Sequence, residues 1–375
     1  MSEPHGAGLF SDDHGLIEAN PLESAKLVNR AFGEENRARL LTDYFSGTGE
    51  IKPETAWIHV YRLLLSIDRT IGLAHCYESD KCQPGRPWYA RSLAFHKWLS
   101  DAMGVEPGDL GSDIDWLFKK ASADLAGLAL RAGHSERVRQ QRRPYEGQAF
   151  PEPGDDPELM SIILNGLAPW MQSTPPAAAQ RELSERIMAY LTQENKRKNL
   201  IGEGFEDTLA AILRRVPGIS DTYTIHTRAM LHHLPGFHRG PVNEKPRQVD
   251  LALVRKSDQQ RTLITAKWSV RADREEQFMS DFRDYARVNF GGEAFRYVLV
   301  TNEFDAARLV RACDRRAENT LLLTDVVHVN TSGPKVAYAD VSPRSKNKCI
   351  EMLRHIETGR LSSLERWLQS LASGH

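Results

Sequence analysis

Cysteine is scarce, with four in 375 residues. That density makes no disulfide framework, so a hydrophobic core has to hold the chain. Long hydrophobic runs are missing too. No stretch of the sequence approaches the ~20 apolar residues that cross a bilayer, and no membrane partner is expected. Residues 1–20 are polar and acidic, without the basic stretch and apolar run of a secretory signal. A cytoplasmic protein is expected. Charge of one sign is also lacking: 49 Lys and Arg face 50 Asp and Glu, a formal net charge of −1. Taken whole, that balance argues against a nucleic-acid partner, because such proteins are usually basic. What remains, 41% hydrophobic and 26% charged residues, excludes a disordered, collagen-like or membrane-bundle chain. The length suggests two or three domains.

The charge balance conceals a division. Residues 1–176 hold 18 Lys and Arg against 25 Asp and Glu, or −7; residues 177–375 hold the remaining 31 against 25, or +6. Such asymmetry between halves is a signal for a polyanionic partner of the basic half. Between the halves, residues 144–176 carry seven of the nineteen prolines and an acidic cluster at Glu152–Glu158. These features suggest three parts: a mostly helical N-terminal domain over 1–143, a Pro-rich linker over 144–176 and an α/β domain over 177–375.

Apolar residues recur at helical spacing in 56–71, 88–103 and 114–130. Ser173-Thr174-Pro175 looks like a helix start, a capping hydroxyl followed by proline in the first turn. A helix is expected over 176–195 and a second over 200–215, striped by Ile201, Phe205, Leu209, Ile212 and Leu213. The period then changes. Residues 222–231, 248–255 and 261–270 read as strands, the last two joined as an antiparallel hairpin through Lys256–Gln260. A helix over 274–288, a strand over 296–301, a helix over 305–315 and a strand over 320–329 follow. Residues 344–371 are expected to be helical.

Two charges stand inside those apolar strands. Asp250 lies among Val249, Leu251, Ala252 and Leu253, and projects from the face opposite to Val249 and Leu251. Lys267 lies at the far side of the hairpin, seventeen positions on. Such a pair is either a structural ion pair or a metal-ligating carboxylate beside an amine that orients water. An Asp followed across a hairpin by (Asp/Glu)-x-Lys is the pattern of the PD-(D/E)XK nucleases. Here Thr265 occupies the middle acid's position. After Lys267 come Trp268, Ser269, Val270, Arg271, Ala272, Asp273 and Arg274, and Asp281 lies fourteen residues past the lysine.

This spacing resembles the CCGG family of type II restriction endonucleases. In that family a Ser or Thr replaces the middle acid, and the following helix supplies the acid instead. The resemblance covers about residues 197–330. It implies a PD-(D/E)XK core, a mixed five-stranded sheet flanked by helices, behind the helical N-terminal domain. It implies a restriction–modification nuclease that hydrolyses double-stranded DNA at a palindromic CCGG or CCNGG core, leaves 5′ overhangs and works as a homodimer or homotetramer. Asp250 and Asp281 would hold Mg²⁺ and Lys267 would serve the attacking water. A Glu on the preceding helix would assist: Glu206 by preference, with Glu203 as the alternative. Both also suit a helix N-terminus as dipole partners. Arg271, Asp273 and Arg274 would read C:G pairs, since Arg donates to guanine O6 and N7 and Asp accepts from the cytosine amine. Asp281 stands where relatives more often carry Glu; Glu276 and Asp284 are its substitutes if the helix register differs. A DNA-binding protein that has lost catalysis and a repair or recombination nuclease on the same fold are the competing readings.

Ser269, Lys346 and Lys348 are candidates for DNA-backbone contact, the lysines together with Arg344 in a small basic patch. His75, Cys76 and Cys82 match no common zinc spacing and read as ordinary residues. His232, His233 and His238 cluster in a loop, with a structural role favoured over phosphate contact. Trp57, Trp88, Trp98 and Trp116 fall in helical patterns and read as core.

Overall fold

A computed structural model describes residues 21–68, 73–74, 87–140, 163–165, 167–168, 171, 173–174, 176–240, 246–270, 272–290, 294–339 and 348–374. The chain forms two compact units, Met1–Arg37 with Lys119–Leu200, and Ala38–Phe118 with Ile201–His375. The first is mostly helical where described. Within it Asn36 Nδ2 donates to Ala31 O at 2.7 Å and to Asp124 Oδ2 at 3.0 Å.

The second unit is built on a six-stranded mixed sheet. Its strands are β1 (Tyr223–Met230), β2 (Gln248–Arg255), β3 (Arg261–Lys267), β4 (Arg296–Thr301), β5 (Asp325–His328) and β6 (Leu361–Ser363). They lie in the order β6-β5-β4-β3-β2-β1. The pairs β1–β2 and β2–β3 are antiparallel, and β3–β4, β4–β5 and β5–β6 are parallel. The near-continuous apolar runs LALV, TLITA and YVLV are what strands covered on both faces require, and they are buried throughout. Helix α4 (Ala272–Val288) connects β3 to β4, and α5 (Ala306–Asp314) connects β4 to β5. Asp305 caps α5 by accepting from the Ala307 and Arg308 amides.

Four expectations need correction. The sheet has six strands, not five. Residues 344–371 are not one helix: α6 (Lys348–Thr358) is followed by β6 and then by α7 (Leu364–Ala372). Gly359, at φ +78°, ends α6 in the left-handed conformation, and the Ser363 hydroxyl caps α7. The two helices expected over 176–195 and 200–215 are one, α3 (Ala177–Leu213). Its middle holds no proline, and its two interior glycines, Gly202 and Gly204, cost only about 1 kcal/mol each. The strand expected over 320–329 is two pieces, because Thr320–Leu321 folds back on Arg316–Ala317 and only β5 joins the sheet.

Residues 38–118 also lie elsewhere than the sequence suggests: they share a unit with the sheet. Two helices there, α1 (Ala56–Leu64) and α2 (Pro87–Met103), supply apolar cover beyond the end of β4. Tyr61 donates to Asn302 Oδ1 at 2.9 Å, the Phe95 and Phe304 rings meet edge-on at 4.7 Å, and the Ile51 amide donates to Arg215 O at 3.0 Å. Trp57, Trp88, Trp98 and Trp116 are only half-buried and stand outside the buried core, contrary to their core reading; Trp57, Trp98 and Trp116 make ring contacts. The Pro-rich stretch 144–176 and residues His75, Cys76 and Cys82 lie wholly or largely outside the described residues. Among the described residues no helix is long and apolar enough to cross a membrane.

Candidate active site

The sheet opens at Asp250. The β1–β2 register pairs Thr227 with Leu251 and Ala229 with Val249, and skips Arg228 opposite Asp250. The β2–β3 register ends at Leu251 with Ile264, one step before Thr265 would meet Asp250. The Asp250 carboxylate takes over there. Its Oδ2 accepts from the Ala266 amide at 2.9 Å, from Thr265 Oγ1 at 3.3 Å and from Lys267 Nζ at 2.7 Å. Three donors on one oxygen fix the carboxylate and leave Oδ1 as the oxygen for a further ligand. Thr265 therefore orients Asp250. Asp250 and Lys267 are each about one-fifth exposed along the side chain, so the pair is reachable from solvent.

Two further acids are electrostatically coupled to this pair. Glu206 lies on α3, next to Phe205, whose ring meets Trp268 edge-on at 5.3 Å just past Lys267. This contact anchors α3 against the end of β3. Burial first, then the Asp250 carboxylate, push Glu206 up to about 7, while Lys267 and Arg228 pull it down. Asp281, half-buried on α4, is also raised: by burial first, then by Asp250, against the pull of Lys267 and Arg247. Glu203 is exposed, whereas Glu206 is buried. The substitutes for Asp281 are engaged elsewhere: Glu276 pairs with Arg315 at 2.9 Å, and Asp284 with Arg247 at 2.7 Å.

Among the described residues, no group of three or more His, Cys, Asp or Glu side chains is arranged to hold a metal ion. The donors nevertheless fit one class of ion. They are carboxylate oxygens, suited to a hard divalent cation. Mg²⁺ binds through one or two carboxylates, keeping several waters, rather than in an all-protein cage.

Two residues that the sequence reading passed over shape the site. Arg228 is a non-glycine residue at φ +48° in mid-strand, a conformation that costs of order 1–3 kcal/mol and persists only where surroundings enforce it. Its guanidinium reaches Glu206 Oε2 at 3.3 Å and Asp207 Oδ1 at 2.7 Å, and its carbonyl accepts from Gln248 Nε2 at 2.7 Å. Glu303 follows β4 and is 3% exposed. It accepts from the Val270, Phe304 and Asp305 amides at 2.7, 2.9 and 2.7 Å. The Asn302 amide donates to Trp268 O at 3.0 Å. Together these bonds fix the 268–270 segment that leads from Lys267 into α4. Nothing in residue type alone points to Arg228; an acid directly after an apolar strand was the available hint for Glu303.

Asp273 and Arg274 fall in the first turn of α4, but their side chains, and Arg271 entirely, lie outside the described residues. The same holds for Arg344 and Lys346. Lys348 pairs with Glu351 at 2.6 Å, and Ser269 is exposed.

No family model and no curated protein matches the chain. Among solved structures it is similar to one described as a restriction endonuclease PspGI–substrate DNA complex. The identity is 10%, the match covers 83% of this chain and 99% of that one, and the TM-score is 0.34.

Proposed function

We propose that this protein is a type II restriction endonuclease that hydrolyses duplex DNA with Mg²⁺ at a palindromic site with a CCGG-type core. The supporting observation is the Lys267–Asp250 contact of 2.7 Å at the point where the sheet opens, with Glu206 and Asp281 coupled to it. In this reading Asp250 Oδ1 and Asp281 would hold the metal, with Glu206 assisting. Bound there, Mg²⁺ would polarise the phosphoryl oxygen and make its water acidic. The Lys267 ammonium would orient the attacking water and offset charge building on the phosphate. Thr265 and the Ala266 amide would keep Asp250 aimed while this happens. Arg271, Asp273 and Arg274 would contact the C:G pairs. A palindrome read this way calls for two copies related by a two-fold axis.

The test is to incubate plasmid DNA with the protein and Mg²⁺ and map the ends. Discrete fragments with 5′ overhangs at CCGG or CCNGG cores are expected. Lys267→Ala should bind and not cut, and Arg271→Ala should lose site-specific binding. Tight binding without cutting by the wild type would favour the inactive DNA-binding protein. Random nicking would favour a repair nuclease.

A further inference from the structure

A second site lies beside the catalytic pair. A shallow, open hollow is lined by His232, His238, Arg239, Arg247 and Arg287, among others. No carboxylate belongs to its lining among the described residues. Asp284 offsets part of the charge, pairing with Arg247 at 2.7 Å and with Arg287 at 3.5 Å. Three guanidiniums against Asp284, with Asp281 also acting on Arg247, leave an excess of positive charge. The hollow borders the catalytic centre in sequence and in space. Arg247 stands three residues before Asp250 and acts electrostatically on Asp281.

The walls of this hollow are fixed by a buried cation. Arg261, 1% exposed, donates to Pro235 O at 3.1 Å and to Asn289 Oδ1 at 3.2 Å, and lies 5.0 Å over the Phe237 ring. It thereby joins the 235–238 loop to the end of α4. The His238 amide donates to Val288 O at 2.9 Å and the Phe290 amide to Gly236 O at 3.2 Å. Gly236 sits at φ +75°, and a Cβ there would run into the Arg261 guanidinium. At the rim, Phe290 is 80% exposed, with its ring 4.7 Å from that of His238. An exposed aromatic beside converging cations is the pairing that holds nucleic-acid strands, by stacking or apolar contact next to phosphate neutralisation.

We infer that this hollow binds a phosphate of the nucleic-acid backbone, with Arg239 and Arg287 as the phosphate donors and Phe290 against the adjoining sugar and base. The inference rests on the nuclease reading for its choice of ligand, but the hollow itself does not. The test uses the full chain with a duplex carrying a CCGG core, with Ca²⁺ replacing Mg²⁺ to hold off cutting, over a series of salt concentrations. In parallel, binding of inorganic phosphate and of a nucleoside monophosphate is measured. Arg239→Ala and Arg287→Ala should each weaken duplex binding and reduce the slope of log affinity against log salt by about 1. Phe290→Ala should weaken binding several-fold with the slope unchanged, because it carries no charge. All three side chains are exposed, so folding is not at stake. Tight duplex binding with affinity and slope untouched by the arginine variants would overturn the phosphate site and leave the nuclease reading standing. Phosphate or nucleotide binding that needs both arginines, without duplex binding, would keep the site and overturn the nuclease reading. Binding of neither would overturn both.

Discussion

At Glu206 the environment decides the protonation state. Burial and the Asp250 carboxylate raise it from the ordinary 4.5 to about 7. An acid with a raised folded pKa holds its proton more tightly in the folded chain than in the unfolded one. Between about 4.5 and 7 the folded state then binds more protons, and stability falls as pH rises through that window. In chelator, the unfolding free energy of wild type minus that of Glu206→Gln should decline from pH 4.5 to 7 and level off above, which urea titrations can follow. A difference that climbs with pH would mean that the site stabilises the anion without metal. Arg228 carries the second residue-scale prediction. Arg228→Ala leaves Glu206 and Asp207, with side chains 11% and 10% exposed, short of their cation. A loss of about 3 kcal/mol is expected from breaking such a pair. Arg228→Gly loses the same cation but relieves the φ of +48°, so it should be more stable than the alanine variant by about 1 kcal/mol. Equal stabilities would mean that the backbone there is not strained. Asp250 and Lys267 could be found in the sequence because a charge inside an apolar run is conspicuous. Arg228 could not, since its signal is a backbone angle and two partners on another element.

Elements with a strong period were legible: residues 248–255 and 296–301 are strands with the bounds expected, because buried runs announce themselves. The sixth strand was not, since Leu361–Ser363 is three residues long and shows no period. Its place is set by Gly359 and Arg360. Arg360 donates to Cys313 O at 2.7 and 2.9 Å, to Leu323 O at 2.9 Å and to Thr324 O at 3.0 Å. It thus ties the β6 edge to the ends of α5 and the segment before β5. Gly359 must take φ +78°, and a Cβ there would stand 2.5 Å from Arg366 Nη1. Gly359→Ala should therefore cost about 1–2 kcal/mol from the left-handed backbone, plus the displacement of Arg366. The sum is readable as a lowered midpoint in urea with an unchanged slope. An unshifted midpoint would show that the α6–β6 turn tolerates another conformation.

For the whole molecule, the net charge of −1 concealed a basic half of +6 that holds Asp250, Lys267 and the arginine-lined hollow. Composition could reveal that division but not the packing, because contacts between distant segments leave no local pattern. The Pro-rich stretch suggested an autonomous domain over 177–375, whereas the compact unit that holds the sheet also takes in Ala38–Phe118. The bonds responsible are specific. Tyr61 satisfies Asn302 at the end of β4, Phe95 covers Phe304, Ile51 meets Arg215 at the end of α3, and Glu54 accepts from Gln369 at 2.9 Å on α7. Without them Phe304, fully buried in the intact chain, loses the Phe95 ring. Asn302, 2% exposed, loses the Tyr61 hydroxyl. Each truncated aromatic contact of this kind costs about 3–5 kcal/mol, against a typical total stability of about 5–15 kcal/mol. A chain cut to residues 177–375 should therefore fail to unfold cooperatively and should cut no DNA, even though it keeps Glu206, Asp250, Lys267 and Asp281. Adding back residues 38–118 as a separate chain should restore a cooperative melt in calorimetry if the lost packing is the cause. A sharp transition from 177–375 alone would mean that the sheet needs no cover from the N-terminal segment.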